Sequence, residues 1–323
     1  MSKELTISVI IPAFNAESTI GKTVESVLNQ TASADEILVM DDGSTDNTDE
    51  IVESFRPRVT LFKQSNEGVS SARNALLRRA CGDLIAMLDA DDFWHPQYLE
   101  IQRLNFQKYP DAVASFTGFY NIYTESQISN YDSEITCLKT NLIEPLDLLE
   151  LYSKASGIII PSFCVIKYDA FRKIGESPFP LDLRITQDSY LWYRLALLGP
   201  FVQSCVKAGF YRIVKESLSY DWLLTFEDRV KAFQKICTIY EAKASLAMLK
   251  LARRHRVINY RVVAKYQMGV RNPSKARRHL LDALKLSFSL KSLALLIFTF
   301  LPRFLQPKWP CRYRTPFPSS KLA

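Results

Sequence analysis

The stretch Leu84-Ile85-Ala86-Met87-Leu88-Asp89-Ala90-Asp91-Asp92 decides the fold. Five apolar residues in succession leave no polar face, as expected of a strand covered on both sides. Within one residue the run changes to a cluster of carboxylates. Just upstream, Gly68 opens a helical pattern through Ala80, with Val69, Ala72, Leu76 and Ala80 three or four apart, and Gly82 stands where such a helix stops. Farther out, Ile7-Ser8-Val9-Ile10-Ile11 reads as a strand ended by Pro12, and Ser18 as the cap of a helix to about Gln30. Glu36 to Met40 is a second strand, Thr45 or Asp46 caps a helix from Asn47 to Phe55, and Val59 to Phe62 is a third strand. Strands alternating with helices predict an α/β fold with a mainly parallel, doubly wound sheet. Ligands of such sheets sit beyond the carboxyl ends of the strands. That rule marks three places: Pro12 to Glu17, Asp41 to Asp46, and Asp89 to Asp92.

Residues 110–220 read as mixed strand and helix, and from about 225 the pattern becomes helical and basic. The net charge of +7 on 323 residues conceals a division. Residues 1–249 hold 24 Lys and Arg against 33 Asp and Glu, whereas residues 250–323 hold 17 Lys and Arg and a single acid, Asp282. An acidic body therefore carries a strongly basic extension, which calls for an anionic partner. Cys81, Cys137, Cys164, Cys205, Cys237 and Cys311 form no C-x-x-C pair, so neither a zinc knuckle nor a disulfide scaffold is expected. Three His (His95, His255, His279) offer little material for a His-based metal site or a Ser-His-Asp triad. Met1-Ser2-Lys3-Glu4 leads into a strand pattern, and no secretory signal is expected.

Two carboxylates one residue apart at a strand end can turn toward one divalent ion, and hard Mg²⁺ or Mn²⁺ shares its oxygen shell with substrate phosphates. A bare D-x-D is otherwise a solvated turn or a helix cap. Here its place at the end of a buried strand, beside two other polar strand tips, favours a site. In Asp41-Asp42-Gly43-Ser44-Thr45-Asp46, Asp-Gly supplies a turn and an Asp can also accept hydrogen bonds from a base or a ribose. Arg73, one turn into its helix, can pair with phosphate or simply face solvent. Asp188 precedes Tyr190-Leu191-Trp192 and on these grounds alone reads as a helix cap.

Four motifs in order carry a resemblance: Ser8-Val-Ile-Ile-Pro-Ala-Phe-Asn15, Val39-Met-Asp-Asp-Gly-Ser-Thr-Asp46, Asn66-Glu-Gly-Val-Ser-Ser-Ala-Arg-Asn74 and Leu88-Asp-Ala-Asp-Asp92. Together they resemble the family 2 glycosyltransferases, inverting enzymes with the GT-A nucleotide-sugar-binding fold. The likeness is dense over residues 5–100 and thinner to about 220. It implies a catalytic domain over 1–225, with a nucleotide-binding half at 1–110 and an acceptor half at 111–225, followed by a basic helical extension at 226–323. It implies a nucleotide-sugar pocket of Pro12, Ala13, Glu17, Asp41, Arg73, Asp89 and Ala90. Asp41 would contact the base and Arg73 the phosphates, with Mg²⁺ or Mn²⁺ held by Asp91 foremost and by Asp89. The family's acidic pair heading a helix corresponds to Gln187-Asp188, which makes Asp188 the catalytic base although the first acid is Gln here. Gln187 and Trp192 fall on the acceptor side, with a core position favoured for Trp192 over a sugar-stacking one. The family segment Tyr-Arg-x-His is Tyr211-Arg212-Ile213-Val214 here, without the His.

These readings imply a glycosyltransferase moving a sugar from a nucleotide donor, UDP by default, to a glycan or lipid-linked hydroxyl in cell-surface polysaccharide or lipopolysaccharide assembly. The chain lacks Q-x-x-R-W, so a processive polymer synthase is not expected. Ile11-Pro12-Ala13-Phe14-Asn15 is no Gly-rich phosphate loop, which weighs against a nucleotidyltransferase, and no G-x-G-x-x-G supports a dinucleotide fold. A catalytically inactive binding module is the non-enzyme alternative, opposed by Asp41, Asp89, Asp91 and Asp188 occurring together. In the extension, Arg253-Arg254-His255-Arg256 and Lys275-Ala-Arg277-Arg278-His279 lead into an apolar run from Leu280 to Leu301 interrupted by Lys291. Its longest uncharged piece, Ser292 to Pro302, is shorter than the roughly 20 residues a spanning helix needs. Residues 250–314 are therefore expected to lie on an anionic membrane surface at the cytoplasmic face, with docking on the acidic body as the first alternative and a membrane span, in which Lys291 would have to snorkel, as the second. No nucleic-acid module accompanies the charge.

Overall fold

A computed structural model describes residues 5–124, 127, 134–136, 138–154, 158–213, 222–270 and 272–301. The first half alternates as the sequence predicts: β1 (Ile7–Ala13), α1 (Ile20–Leu28), β2 (Glu36–Asp41), α2 (Thr48–Glu53), β3 (Thr60–Lys63), α3 (Val69–Leu77) and β4 (Leu84–Met87). Then come β5 (Phe93–Trp94), α4 (Tyr98–Lys108), β6 (Ala114–Ile122), β7 (Thr140–Ile143), α5 (Pro145–Lys154) and a 3-10 turn at Pro161–Phe163. β8 (Cys164–Lys167), α6 (Tyr168–Ile174), α7 (Gln187–Leu195) and β9 (Phe201–Arg212) complete this part. The strands join in one sheet ordered β3-β2-β1-β4-β8-β6-β9-β5, with β7 on β9.

The parallel arrangement holds for β3-β2-β1-β4. Beyond β4 it does not: β4–β8, β6–β8, β7–β9 and β5–β9 are antiparallel, and β6–β9 alone is parallel. β1 runs one residue past Pro12 rather than stopping there. Its pairing with β4 ends at Ile10↔Met87, while that with β2 continues to Ala13↔Asp41. The missing proline N–H thus falls where one neighbour has already left. All of β1 and β4 is buried. Ile7, Val9 and Ile11 join Ile20, Val24 and Val27 of α1 in the main core, as period-2 and period-3.6 faces should. On β9, a Cβ at Gly209 would come 2.1 Å from the Phe163 ring, so only glycine lets the 3-10 turn lie against this strand.

Helix ends differ by a few residues from the reading. Thr19, not Ser18, is the N-cap of α1, and α3 ends at Leu77 rather than Ala80. For α2 the N-cap is Asn47, but Asp46 does the capping: its Oδ1 accepts from the Thr48 N–H at 3.1 Å and the Thr48 hydroxyl at 2.6 Å.

The chain divides into two compact units, residues 1–215 and 216–323, before the 225/226 boundary read from the sequence. The second consists of α8 (Trp222–Lys243), α9 (Leu246–Gly269), α10 (Pro273–Leu286) and α11 (Leu290–Phe298). Phe226 and Val230 of α8 meet Val257, Tyr260 and Val263 of α9 and Ala283 of α10. Asn272 caps α10, with Pro273 at its first position, as helix starts prefer. The apolar run from Leu280 is not one helix: Ser287 to Ser289 separate α10 from α11. Among the described residues no helix is long and apolar enough to cross a membrane. Residues 302–314 of the basic tail, and Val214, lie outside the described residues.

Candidate active site

The carboxyl ends of β1, β2 and β3 are laced together by short polar side chains. The Asp42 N–H donates to the Ala13 carbonyl at 2.8 Å. Asn15, with φ at 46°, donates its N–H to Ser44 Oγ (2.9 Å), and its Oδ1 accepts from the Thr45 N–H (2.9 Å). Gly43 has φ +77° and lies so close to Asn66 that a Cβ would sit 2.9 Å from that backbone N, so the Asp-Gly turn admits glycine alone. The two Asp ahead of it divide their work. Asp42 Oδ1 accepts from the Gln64 side chain and the Glu67 N–H, and its Oδ2 from the Gly68 N–H, so it fixes the loop that starts α3. Asp41, also buried, accepts from the Ser44 N–H at 2.9 Å. Pro12 and Ala13 are buried strand residues. Glu17 is turned to the start of α2, where its Oε2 accepts from the Asn47 N–H (3.1 Å) and side-chain amide (3.0 Å). This carboxylate therefore builds the loop wall.

At the end of β4, Thr23 Oγ1 donates toward the carbonyls of Ala90 (2.9 Å) and Asp92 (2.8 Å), holding the D-x-D turn against α1. Ser162, in the 3-10 turn, accepts from the Asp89 N–H at 3.1 Å. Arg73 reaches this turn from α3: its Nη2 lies 2.5 Å from Asp89 Oδ1. The guanidinium is 3% exposed, and its Nε and Nη1 have no hydrogen-bond partner. A buried cation with unmet donors carries a large cost unless an anion meets them. The surface-facing alternative for Arg73 is thereby excluded.

Asp91 is partly buried, and its carboxyl is pushed up to about 6, by desolvation first and then by the charge of Asp89. Asp92 is fully buried; burial, then Asp91 and Asp89, push it well above the carboxylate range, so it favours its neutral form. Arg212 faces this group: its N–H donates to Asp92 Oδ1 (3.0 Å) and its Nε–H to the Asp91 carbonyl (3.1 Å). It is a second cation at the site, to which the sequence reading gave no role. Its only signal was Tyr211-Arg212 at the expected place in the chain.

α7 is tied to this region through α3. The Asn74 amide donates to the Phe179 carbonyl (2.7 Å) and accepts from the Phe179 N–H (3.1 Å), and the Arg73 guanidinium lies 5.4 Å from the Phe179 ring centre. The segment so anchored leads into α7, where Asp188 stands in the first turn, partly buried, its Oδ1 accepting from the Ser189 N–H. Gln187 is buried, with Oε1 lacking a partner. Of the two readings of Trp192, the structure has the core one: it is 1% exposed and meets Phe201 edge-on at 6.4 Å, which leaves no face to stack on a sugar.

Among the described residues no three His, Cys, Asp or Glu side chains gather into a cage for a metal. The donor set nonetheless fits Mg²⁺ or Mn²⁺ sharing its shell with phosphates. Asp91 is a carboxyl made costly to ionise by burial and a like charge, a penalty that a divalent cation relieves.

The sequence profile described as "Glycosyl transferase family 2" matches residues 8–175, just over half of the chain. The UDP-Glc:alpha-D-GlcNAc-diphosphoundecaprenol beta-1,3-glucosyltransferase WfgD of Escherichia coli is 27% identical over 277 residues, covering 83% of this chain and 98% of that protein. The chain spans only 18% and 32% of the length of two other curated relatives that it matches. S. aureus TarS 1–349 in complex with UDP-GlcNAc has a TM-score of 0.69 at 16% identity, over 91% of this chain and 84% of that one. The mannosyltransferase PcManGT from Pyrobaculum calidifontis, in complex with GDP-Man and Mn²⁺, has a TM-score of 0.57 at 21% identity, over 92% and 79%.

Proposed function

The chain belongs to glycosyl transferase family 2 and has the GT-A fold, and on that premise we propose that it moves a sugar, with inversion, from a nucleoside-diphosphate sugar to a hydroxyl of a lipid-linked or glycan acceptor. The observation that carries the reading is Arg73, a buried guanidinium with two unmet donors set against Asp89 at a strand tip. A diphosphate supplies the acceptors that Arg73 lacks.

In this reading Asp41 accepts a hydrogen bond from the base or ribose. Arg73 and Arg212 offset the negative charge that grows on the departing diphosphate. A Mg²⁺ or Mn²⁺ held by Asp91 and Asp89 supplies further Lewis-acid neutralisation when bound. Asp188 takes the proton of the attacking hydroxyl. A free Asp, with pKa about 3.9, is a weak base, but it suffices when the proton moves late, after the oxygen has become acidic.

UDP is the favoured nucleotide, since the names of WfgD and of the TarS complex both carry it. WfgD, matched over 98% of its length, also supports a lipid-diphosphate-linked acceptor and a place in cell-surface polysaccharide assembly. The charge division supports peripheral association of residues 250–314 with an anionic membrane surface, at the cytoplasmic face where nucleotide sugars are the donors.

The test is direct. Purified protein with Mn²⁺ is offered UDP- and GDP-sugars together with a short-chain lipid-diphosphate sugar. A lengthened acceptor with inverted anomeric configuration is expected. Donor hydrolysis without transfer, or no turnover with any donor, would count against the assignment.

A further inference from the structure

The second unit carries a groove of about 410 Å³ between α9 and α11. Its floor is apolar: Ile258 and Val262, one helical turn apart on α9, face Leu295 and Phe298 of α11. Three cations line it as well, Arg261 and Lys265 from α9 and Lys291 from α11. Neither helix contains an acidic residue. The single acid of residues 250–323, Asp282, lies on α10 with Lys285 at 3.6 Å. α11 also turns an apolar stripe to solvent: Leu290, Ala294 and Ile297 follow one another at i, i+4 and i+7, and Leu290 and Ile297 are 75% and 55% exposed. Ala294 belongs to both stripe and groove, so the two surfaces are continuous.

An apolar floor offers nothing to a fully hydrated anion such as inorganic phosphate or a nucleic-acid backbone. Cations lining the rim offer nothing to an apolar peptide. The combination suits an amphiphile with an anionic head. We propose that the α9–α11 groove docks the phosphate-bearing head and first hydrocarbon segment of an anionic bilayer lipid, with the Leu290–Ile297 stripe entering the same surface. The proposal rests on the peripheral-membrane reading above and deepens it, replacing diffuse attraction of a basic tail with a defined site.

The full-length protein is sedimented with vesicles of phosphatidylcholine alone and of phosphatidylcholine with phosphatidylglycerol. Three variants, all at exposed positions and checked for unchanged melting, separate the site from bulk charge: Lys291→Glu and Ala294→Asp in the groove, Lys275→Glu on α10 outside it. Wild type is expected to sediment with the anionic vesicles. Lys291→Glu and Ala294→Asp should each weaken binding about 100-fold or more, and Lys275→Glu no more than about 30-fold, the effect of reversing one charge near a membrane surface. If Lys275→Glu weakens binding as much as Lys291→Glu while Ala294→Asp has no effect, the groove is not the site, although the membrane reading stands. If wild type sediments with neither vesicle, both fall. If Ala294→Asp abolishes self-association in light scattering and leaves vesicle binding intact, the groove holds a second copy of the chain and the lipid proposal is overturned.

Discussion

Asp91 gives the site a built-in pH dependence. Its carboxyl is raised to about 6 in the folded chain, by burial first and Asp89 second. A raised carboxyl means that the folded protein holds a proton the unfolded chain has released. The resulting stability is present below the unfolded value of about 3.9 and is lost as pH rises through about 6. Mg²⁺ or Mn²⁺ needs the carboxylate. The rise in melting temperature produced by Mn²⁺ is therefore expected to be small near pH 5 and to grow through about 6 toward neutrality. In Asp91→Asn it should stay small throughout, and a wild-type shift that ignores pH would remove Asp91 from the cation's shell. Asp188→Asn should retain nucleotide binding and lose about 100-fold or more in kcat; near-normal kcat would place the base elsewhere. The position of Asp89 and Asp91 at a strand tip was legible because a buried apolar run ends on them. Arg212 and Ser162 were not, because each reaches the D-x-D turn from far along the chain. Trp192 stayed open between two readings because a helix turn with an aromatic looks the same whether it faces a sugar or the core.

Among the elements, the connection between α3 and α7 bears most on function. Asn74 acts as a peptide substitute, satisfying both backbone groups of Phe179 in a buried setting. Asn74→Ala leaves those groups unpaired, and urea unfolding should show a loss of about 2–4 kcal/mol. An unchanged midpoint would mean that water takes the amide's place and that the bracket does not fix the segment before α7. The β1-to-β4 half was legible because its signals are local: apolar runs, caps and glycines. The rest of the sheet was not, because which strand lies beside which is settled by contacts between residues far apart, such as Ala86↔Val165 and Ala114↔Phe201. Pro12 shows the limit of a local rule. It ends a strand only where the neighbour that its nitrogen faces still needs an N–H.

Across the whole molecule, charge and titration set the two units apart. In the second unit, His255 is buried against Phe233, and its pKa is lowered to about 4, by desolvation first and Arg254 second. A depressed His contributes stability that is present above the unfolded value near 6.5 and is lost as pH falls through about 4. Thermal melts followed by far-UV circular dichroism should show acid destabilisation over that window, reduced in His255→Gln. Equal slopes in both proteins would assign the acid sensitivity to other groups. The charge division of the chain was plain in the sequence. The break at Ser287–Ser289 and the α9–α11 groove were not, because they follow from how four helices pack together.

The central claim is that Arg73, Asp89 and Asp91 form one diphosphate pocket. Calorimetric titration of UDP and GDP into the full-length protein with Mn²⁺ tests it, using wild type, Arg73→Gln and Asp91→Asn. One-to-one binding is expected for wild type, weakened about tenfold or more in each variant with the folded far-UV circular dichroism spectrum retained. Equal affinity in all three proteins, or no binding of either nucleotide to wild type, would contradict it.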